Sequence, residues 1–419
     1  MDKKNFTIGA LLLIAAFGLL FFGPKSPPPS APLPAPEQST ATAPGAPAQA
    51  PGTTTTPGQP GTPPASVVTS AFAAVNQESA NATITTLSNG YIEARFTDFG
   101  GALREVAFTK RDDKNRLIYP DKLGGDTPYV FNALHAHPIL AFVDYPGLDK
   151  HARFERVSQT TSEVVYRAVL DGRLEVTRRY VLSPEKSDNA DPYLIRHETT
   201  LRNLSDATSE LKRIGFALGT AAPTQADPVG VQLTTGYNNG DDRKFIPRSE
   251  LEAGSGFLGI GAHTSKAFVA TPGPLVWTAV KNQFFASILT GTEPATGLIT
   301  QRVKLLVKQH DEDPTAYGIA GITQFDVKPI GPKAEAKIAG SIYVGPKEYR
   351  RLARPAAFKA DEDKIMDFGF FRFFSEILLT LMTWFNGITH NWGIAIILTT
   401  LSLKTVFIPF TLAASKSAK

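Results

Sequence analysis

Over about 270 residues, from position 73 to position 346, apolar and polar side chains alternate with a period of two, and helical periodicity is scarce. A strand points successive side chains to opposite faces, so this pattern commits the region to half-buried strands. In residues 193–202, Tyr193, Ile195, His197, Thr199 and Leu201 share one face, and Leu194, Arg196, Glu198, Thr200 and Arg202 share the other, mostly charged one. Residues 173–182 place Leu174, Val176, Tyr180 and Leu182 together in the same way. Further strand-like runs are 91–96, 164–170, 275–280, 284–289, 302–307 and 336–344, set apart by turn pairs such as Asn89-Gly90, Asp171-Gly172 and Pro272-Gly273. The expectation is a large all-β antiparallel sandwich over residues 73–346.

Little in this region points to bond-making chemistry. Gly254, Gly256 and Gly259 spell GxGxxG, but a strand-like run follows where a dinucleotide site needs a helix, so a glycine loop is the better reading. His135 and His137 would share a strand face and could hold a metal with a carboxylate, yet no third ligand has suitable spacing. His197 falls on an apolar face, as a core histidine would. Asp311-Glu312-Asp313 before Pro314 reads as a solvated acidic turn, too short for a calcium ligand ladder. The 419 residues contain no Cys, which excludes disulfides, thiolate zinc sites, iron–sulfur clusters and a Cys nucleophile. A formal net charge of +4 is too mild to argue for nucleic acid. No catalytic residue, metal or cofactor is expected.

Both ends are membrane-like. After residues 1–5, positions 6–22 carry no charge; as a helix they span about 25 Å, enough for a thin bilayer. Lys3 and Lys4 before this run favour a cytoplasmic N-terminus. A cleavable signal peptide is the competing reading, but Pro24 and Pro27 to Pro29 stand where a small-residue cleavage site would be. Residues 23–72 are rich in Pro, Ala, Thr and Gly, with 14 of the chain's 32 prolines between positions 24 and 66, and read as an extended tether.

Residues 347–390 open as a charged linker and continue into a Phe-rich helix over 365–388. There Arg372, Glu376, Thr380, Thr383 and Gly387 recur at spacings of 4, 4, 3 and 4, a narrow polar stripe. The helix either lies in the membrane interface with the stripe toward water, or spans with Arg372 and Glu376 paired inside; two charges in its first turns favour the interface. Residues 391–412 form a run long enough to span, with Trp384 and Trp392 as outer anchors and residues 413–419, with Lys416 and Lys419, at the inner end. Pro409 should kink its last turns. Lys404 lies about 18 Å from Trp392 and about as far from Lys416, near mid-bilayer, where a lone ammonium costs about 2.5–3.5 kcal/mol. Its stem is too short to reach water, so Lys404 should face a polar cavity or a partner.

The features form one ordered set: an N-terminal anchor, a proline-rich tether, a β domain ending in Tyr343-Val344-Gly345-Pro346-Lys347, an amphipathic Phe/Trp helix, and Asn391-Trp392-Gly393 opening a helix with a cation before Pro409. Within the β domain stand Phe96-x-x-x-Gly100-Gly101-Ala102 and Trp277-x-x-x-Lys281-Asn282-Gln283-Phe284-Phe285. The set resembles the YidC/Oxa/Alb family of membrane protein insertases, in its Gram-negative form with a large periplasmic domain. It implies a galactose-mutarotase-like supersandwich and a bundle of membrane helices enclosing a hydrophilic groove in the inner membrane. A cation in that groove would receive polar tails of nascent membrane proteins. Lys404 occupies that position, where the family usually has Arg. The implied partners are nascent integral membrane proteins, the Sec translocon and the lipid bilayer. Lys419 lies just past the first helix of the expected bundle, so the chain is expected to be a piece of a longer protein. Two other readings stay open: a membrane-anchored carbohydrate-binding or epimerase-like protein, and a periplasmic scaffold that docks on a translocon.

Overall fold

A computed structural model describes residues 81–134, 137–143, 145, 147–254, 263–305, 313–367 and 372–417. The anchor and the tether expected over 6–72 lie outside the described residues, as do His135, Gly256, Gly259, Asp311 and Glu312 and the side chains of Arg372, Glu376 and Pro409.

The alternating region is built of antiparallel strands. β1 (Ile84–Ser88), β2 (Ile92–Thr97), β3 (Ala102–Phe108) and β4 (Val130–Phe131) form a four-stranded sheet in sequence order. The larger sheet contains β5 (Phe142–Val143), β6 (Glu155–Gln159), β7 (Glu163–Leu170), β8 (Leu174–Leu182), β9 (Leu194–Asn203), β10 (Lys212–Ala221), β11 (Thr234–Asn238), β12 (Arg243–Pro247), β13 (Val269–Lys281), β14 (Phe285–Lys304), β15 (Tyr317–Val327) and β16 (Glu335–Pro346). Its main path runs β12-β11-β13-β14-β16-β9-β8-β7-β6. β14 is where the sheet branches. Its first residues pair with β16, from Phe285 opposite Pro346, and its last pair with β15, from Gly297 opposite Gln324. β15 then carries β10, which carries β5.

The register of β9 agrees with its sequence pattern: Ile195, His197, Thr199 and Leu201 are buried, and Arg196 and Arg202 are exposed. The small sheet closes over β8, with Phe96 packed 4.9 Å from Tyr180 between ring centroids. Tyr180 Oη also donates to the Gly101 carbonyl at 2.8 Å. Gly100 and Gly101 both have positive φ, 69° and 53°, and a Cβ on Gly101 would lie 2.8 Å from the Phe154 ring. This tight turn therefore requires glycine and delivers two carbonyls into the core.

The charged segment after β16, expected from the sequence as a linker, is packed onto the sandwich. It forms α1 (Tyr349–Leu352) and a 3-10 turn (Glu362–Met366), and buries Leu352, Phe358 and Ile365. The helix expected from position 365 begins later for that reason: Ile365 belongs to the sandwich core, and α2 spans Arg372–Thr389. α3 spans Trp392–Ser417.

Candidate functional site

α3 carries the residue that the sequence singles out. Asn391 starts this helix by accepting, at Oδ1, hydrogen bonds from the backbone N–H groups of Gly393 (2.9 Å) and Ile394 (3.3 Å). α2 and α3 pack together, and buried Ala395 and Thr399 mark one side of α3. Lys404 lies nine residues past Ala395, about half a turn round the helix, and points to the opposite side. It is exposed there beside Ile397, Leu401 and Ile408, which are exposed as well. The neighbouring hydroxyls turn inward: Thr399, Thr400, Ser402 and Thr405 each donate to the carbonyl four residues earlier, at 2.8–2.9 Å. That bond satisfies a hydroxyl within its own helix, whereas an ammonium has no such outlet. Among the described residues no helix is both long and apolar enough to cross a membrane. In α3 the four hydroxyls and Lys404 break the apolar run. Trp384 and Trp392, 57% and 51% exposed, sit at the turn end of the two helices.

A set of polar and ionic contacts docks the segment before α2 on the sandwich. The fully buried Asp191 carboxylate accepts from Arg351 Nη1 at 2.9 Å and Arg354 Nη2 at 2.5 Å. Burial pulls the Arg351 pKa down, but Asp191 and Glu348 more than offset it and hold the guanidinium charged. Tyr119 Oη donates to Glu348. Glu362, whose carboxyl burial pushes up, accepts from Thr290 Oγ1 at 3.0 Å and Ala360 N–H at 2.9 Å. Lys281 Nζ donates to the Ile365 carbonyl at 2.9 Å and lies 3.6 Å from the Phe245 ring centroid. Burial, and then the like charge of Lys347, lower Lys281 to about 7.

Among the described residues the histidines do not assemble into an acid–base site. His197 is buried, bonded to Thr199 Oγ1 at 2.7 Å and 3.5 Å from Arg178 Nη2. Burial and then the guanidinium hold it well below its ordinary pKa, so the imidazole is neutral. Arg178, itself fully buried, donates to the carbonyls of Gly100 (2.7 Å) and Leu140 and stacks 4.7 Å over Phe142. This group clamps two turns to β8; a neutral imidazole beside a guanidinium lacks the carboxylate that proton transfer at a sugar carbon would need. Among the described residues no group of three or more His, Cys, Asp or Glu is placed to hold a metal. The sequence reading missed Arg178, although it falls in register with Leu174, Val176, Tyr180 and Leu182. It also missed Asp191, which carries no periodic signal.

Residues 149–381 match the YidC periplasmic domain family. The chain belongs to the YidC family. The YidC membrane protein insertase of Syntrophobacter fumaroxidans is 25% identical over 57% of this chain and 38% of its own length. That of Maridesulfovibrio salexigens is 28% identical over 55% and 37%. The chain thus spans about two fifths of the length of these two curated YidC relatives. Among solved structures, a galactose mutarotase related enzyme from Lactobacillus acidophilus is 10% identical, with a TM-score of 0.37 over 63% of this chain and 97% of that one.

Proposed function

We propose that this chain is the periplasmic domain and first core helix of a membrane protein insertase of the bacterial inner membrane, which inserts and folds nascent integral membrane proteins alone or with the Sec translocon. In this reading α3, whose hydroxyls and Lys404 keep it from being apolar enough to cross alone, crosses the bilayer beside further helices that cover its polar side, and α2 lies along the outer face of the bilayer with Trp384 at the interface. The side of α3 opposite α2 faces a hydrated groove built with further helices. The observation that carries the reading is the placement of Lys404: an exposed cation on the apolar face of α3, turned away from its neighbour. In lipid that placement is costly; in a groove the same charge attracts a carboxylate on a translocated tail, weakly screened by its surroundings. The sandwich acts as a positioned module and performs no covalent step.

The test is insertion of paired clients that differ by one acidic residue in the tail, measured in the complete protein. Lys404→Arg preserves insertion of both clients, and Lys404→Ala lowers that of the acidic one several-fold more than that of the apolar one. Equal insertion of both by the wild type and Lys404→Ala would remove Lys404 from the mechanism.

A further inference from the structure

Residues 119–129 form a short arm whose construction is out of proportion to its burial. Tyr129 N–H bonds Tyr119 O at 2.9 Å and Asp121 N–H bonds Thr127 O at 2.8 Å. Pro120 bridges Pro128, and Gly125 N–H closes a turn on Lys122 O at 2.8 Å. Gly124, with φ 76°, fills the turn position that needs glycine when the preceding residue is at the apex of a type II turn. The apex residue is Leu123, and it is 98% exposed. All of 121–127 is exposed.

The root of the arm is fixed. Tyr129 stacks on Phe285 at 4.3 Å and Tyr119 meets the same ring edge-on at 5.6 Å. Tyr129 Oη accepts from Asn282 Nδ2 at 2.9 Å, and Tyr119 donates to Glu348. These contacts place the arm at the end of the sandwich formed by the β13–β14 turn and the start of the docked segment. The chain leaves for α2 from this same end, since Lys281, next to Asn282, holds Ile365. Ile118 and Phe284, two more large apolar side chains in water, flank the root, 45% and 47% exposed.

Single exposed apolar residues are ordinary. Here three share one end, one of them tops a rigid arm, and the end is the one continuous with α2 and α3. We propose that the 119–129 arm is an interfacial membrane anchor of the sandwich. Leu123 enters the boundary between headgroups and acyl chains, and Ile118 and Phe284 rest at headgroup level. The occupant is the lipid surface, because the apolar faces of α2 and α3 already bring lipid to this end. This rests on the reading of those helices as membrane segments.

The chain has no Cys, so one introduced thiol carries an environment-sensitive fluorophore without background. Three full-length variants are compared in vesicles of phosphatidylethanolamine and phosphatidylglycerol with shallow lipid-borne quenchers. Leu123→Cys probes the apex and Ile388→Cys, 62% exposed and one turn past Trp384, probes the apolar face of α2. Asp206→Cys, 94% exposed beyond the far end of β9, is the aqueous control. Probes at 123 and 388 should be quenched several-fold more than at 206, and emission at 123 should shift to the blue. Quenching at 388 without quenching at 123 overturns the anchor and leaves the helices as membrane segments. Quenching at neither overturns both. Quenching at 123 alone supports the anchor and counts against α2 as an interfacial helix. A blue shift at 123 that lipid quenchers do not touch assigns the arm to a protein partner and overturns the proposal.

Discussion

Asp191 is a buried acid held between two guanidinium groups, and its removal leaves Arg351 against the sandwich with only the half-exposed Glu348, 3.0 Å away, as counter-charge. Breaking a buried ion pair by deleting one partner costs about 3–5 kcal/mol. Arg351 and Arg354 keep 20% and 43% of their side-chain surface in water, which relieves part of that cost. Asp191→Ala is therefore expected to lower stability by about 3 kcal/mol in denaturant unfolding, and Asp191→Ala with Arg351→Ala to lose less than the sum of the two single variants. A loss under about 1 kcal/mol would show that the pair is solvated like a surface contact. The sequence does not announce this residue: Ser187-Asp188-Asn189-Ala190-Asp191-Pro192 reads as an ordinary polar turn, and its partners lie 160 and 163 positions away. His197 was legible as a core histidine because its strand alternates cleanly. Arg178 sits in an equally clean register, but a charge on an apolar face is discounted unless its partners, two turn carbonyls and an aromatic ring, can be foreseen.

At the scale of elements, the strands were legible wherever one face is buried and the other wet, as in β8 and β9. The branch at β14 was not, since period-two alternation names a strand's faces and says nothing about which neighbours take its edges. The docked segment before α2 was missed for a compositional reason: Leu352, Phe358 and Ile365 are spaced without period among charges, and each is buried by the sandwich rather than by its own element. Lys281 gives that docking a pH dependence. In the unfolded chain this lysine keeps its proton up to its ordinary 10.5; in the fold it loses it near 7. Between these values the unfolded chain binds more protons, so stability rises with pH across the window and is flat below it. Relative to Lys281→Met, the wild type should gain about 1–2 kcal/mol from pH 7 to pH 9 in unfolding measurements. Parallel profiles for the two proteins would mean that Lys281 stays charged in the fold, held by the Phe245 ring and the Ile365 carbonyl.

For the whole molecule, the argument turns on which side of a membrane the sandwich occupies. Basic residues stand at both ends, Lys3 and Lys4 before the first uncharged run and Lys416 and Lys419 after the second, and retention of such flanks on the cytoplasmic side would put everything between the two runs outside. A chain without Cys can fold there because its core is large enough to need no disulfide. The expected topology therefore has residues 70–346 in the periplasm and Lys416 in the cytoplasm. In intact spheroplasts, a membrane-impermeant maleimide should label Asp206→Cys at once and reach Lys416→Cys only after the membrane is opened. Labelling of Lys416→Cys from outside, with Asp206→Cys protected, would invert the molecule. It would also turn the 119–129 arm toward the cytoplasmic leaflet and leave Lys404 with no translocated tail to receive.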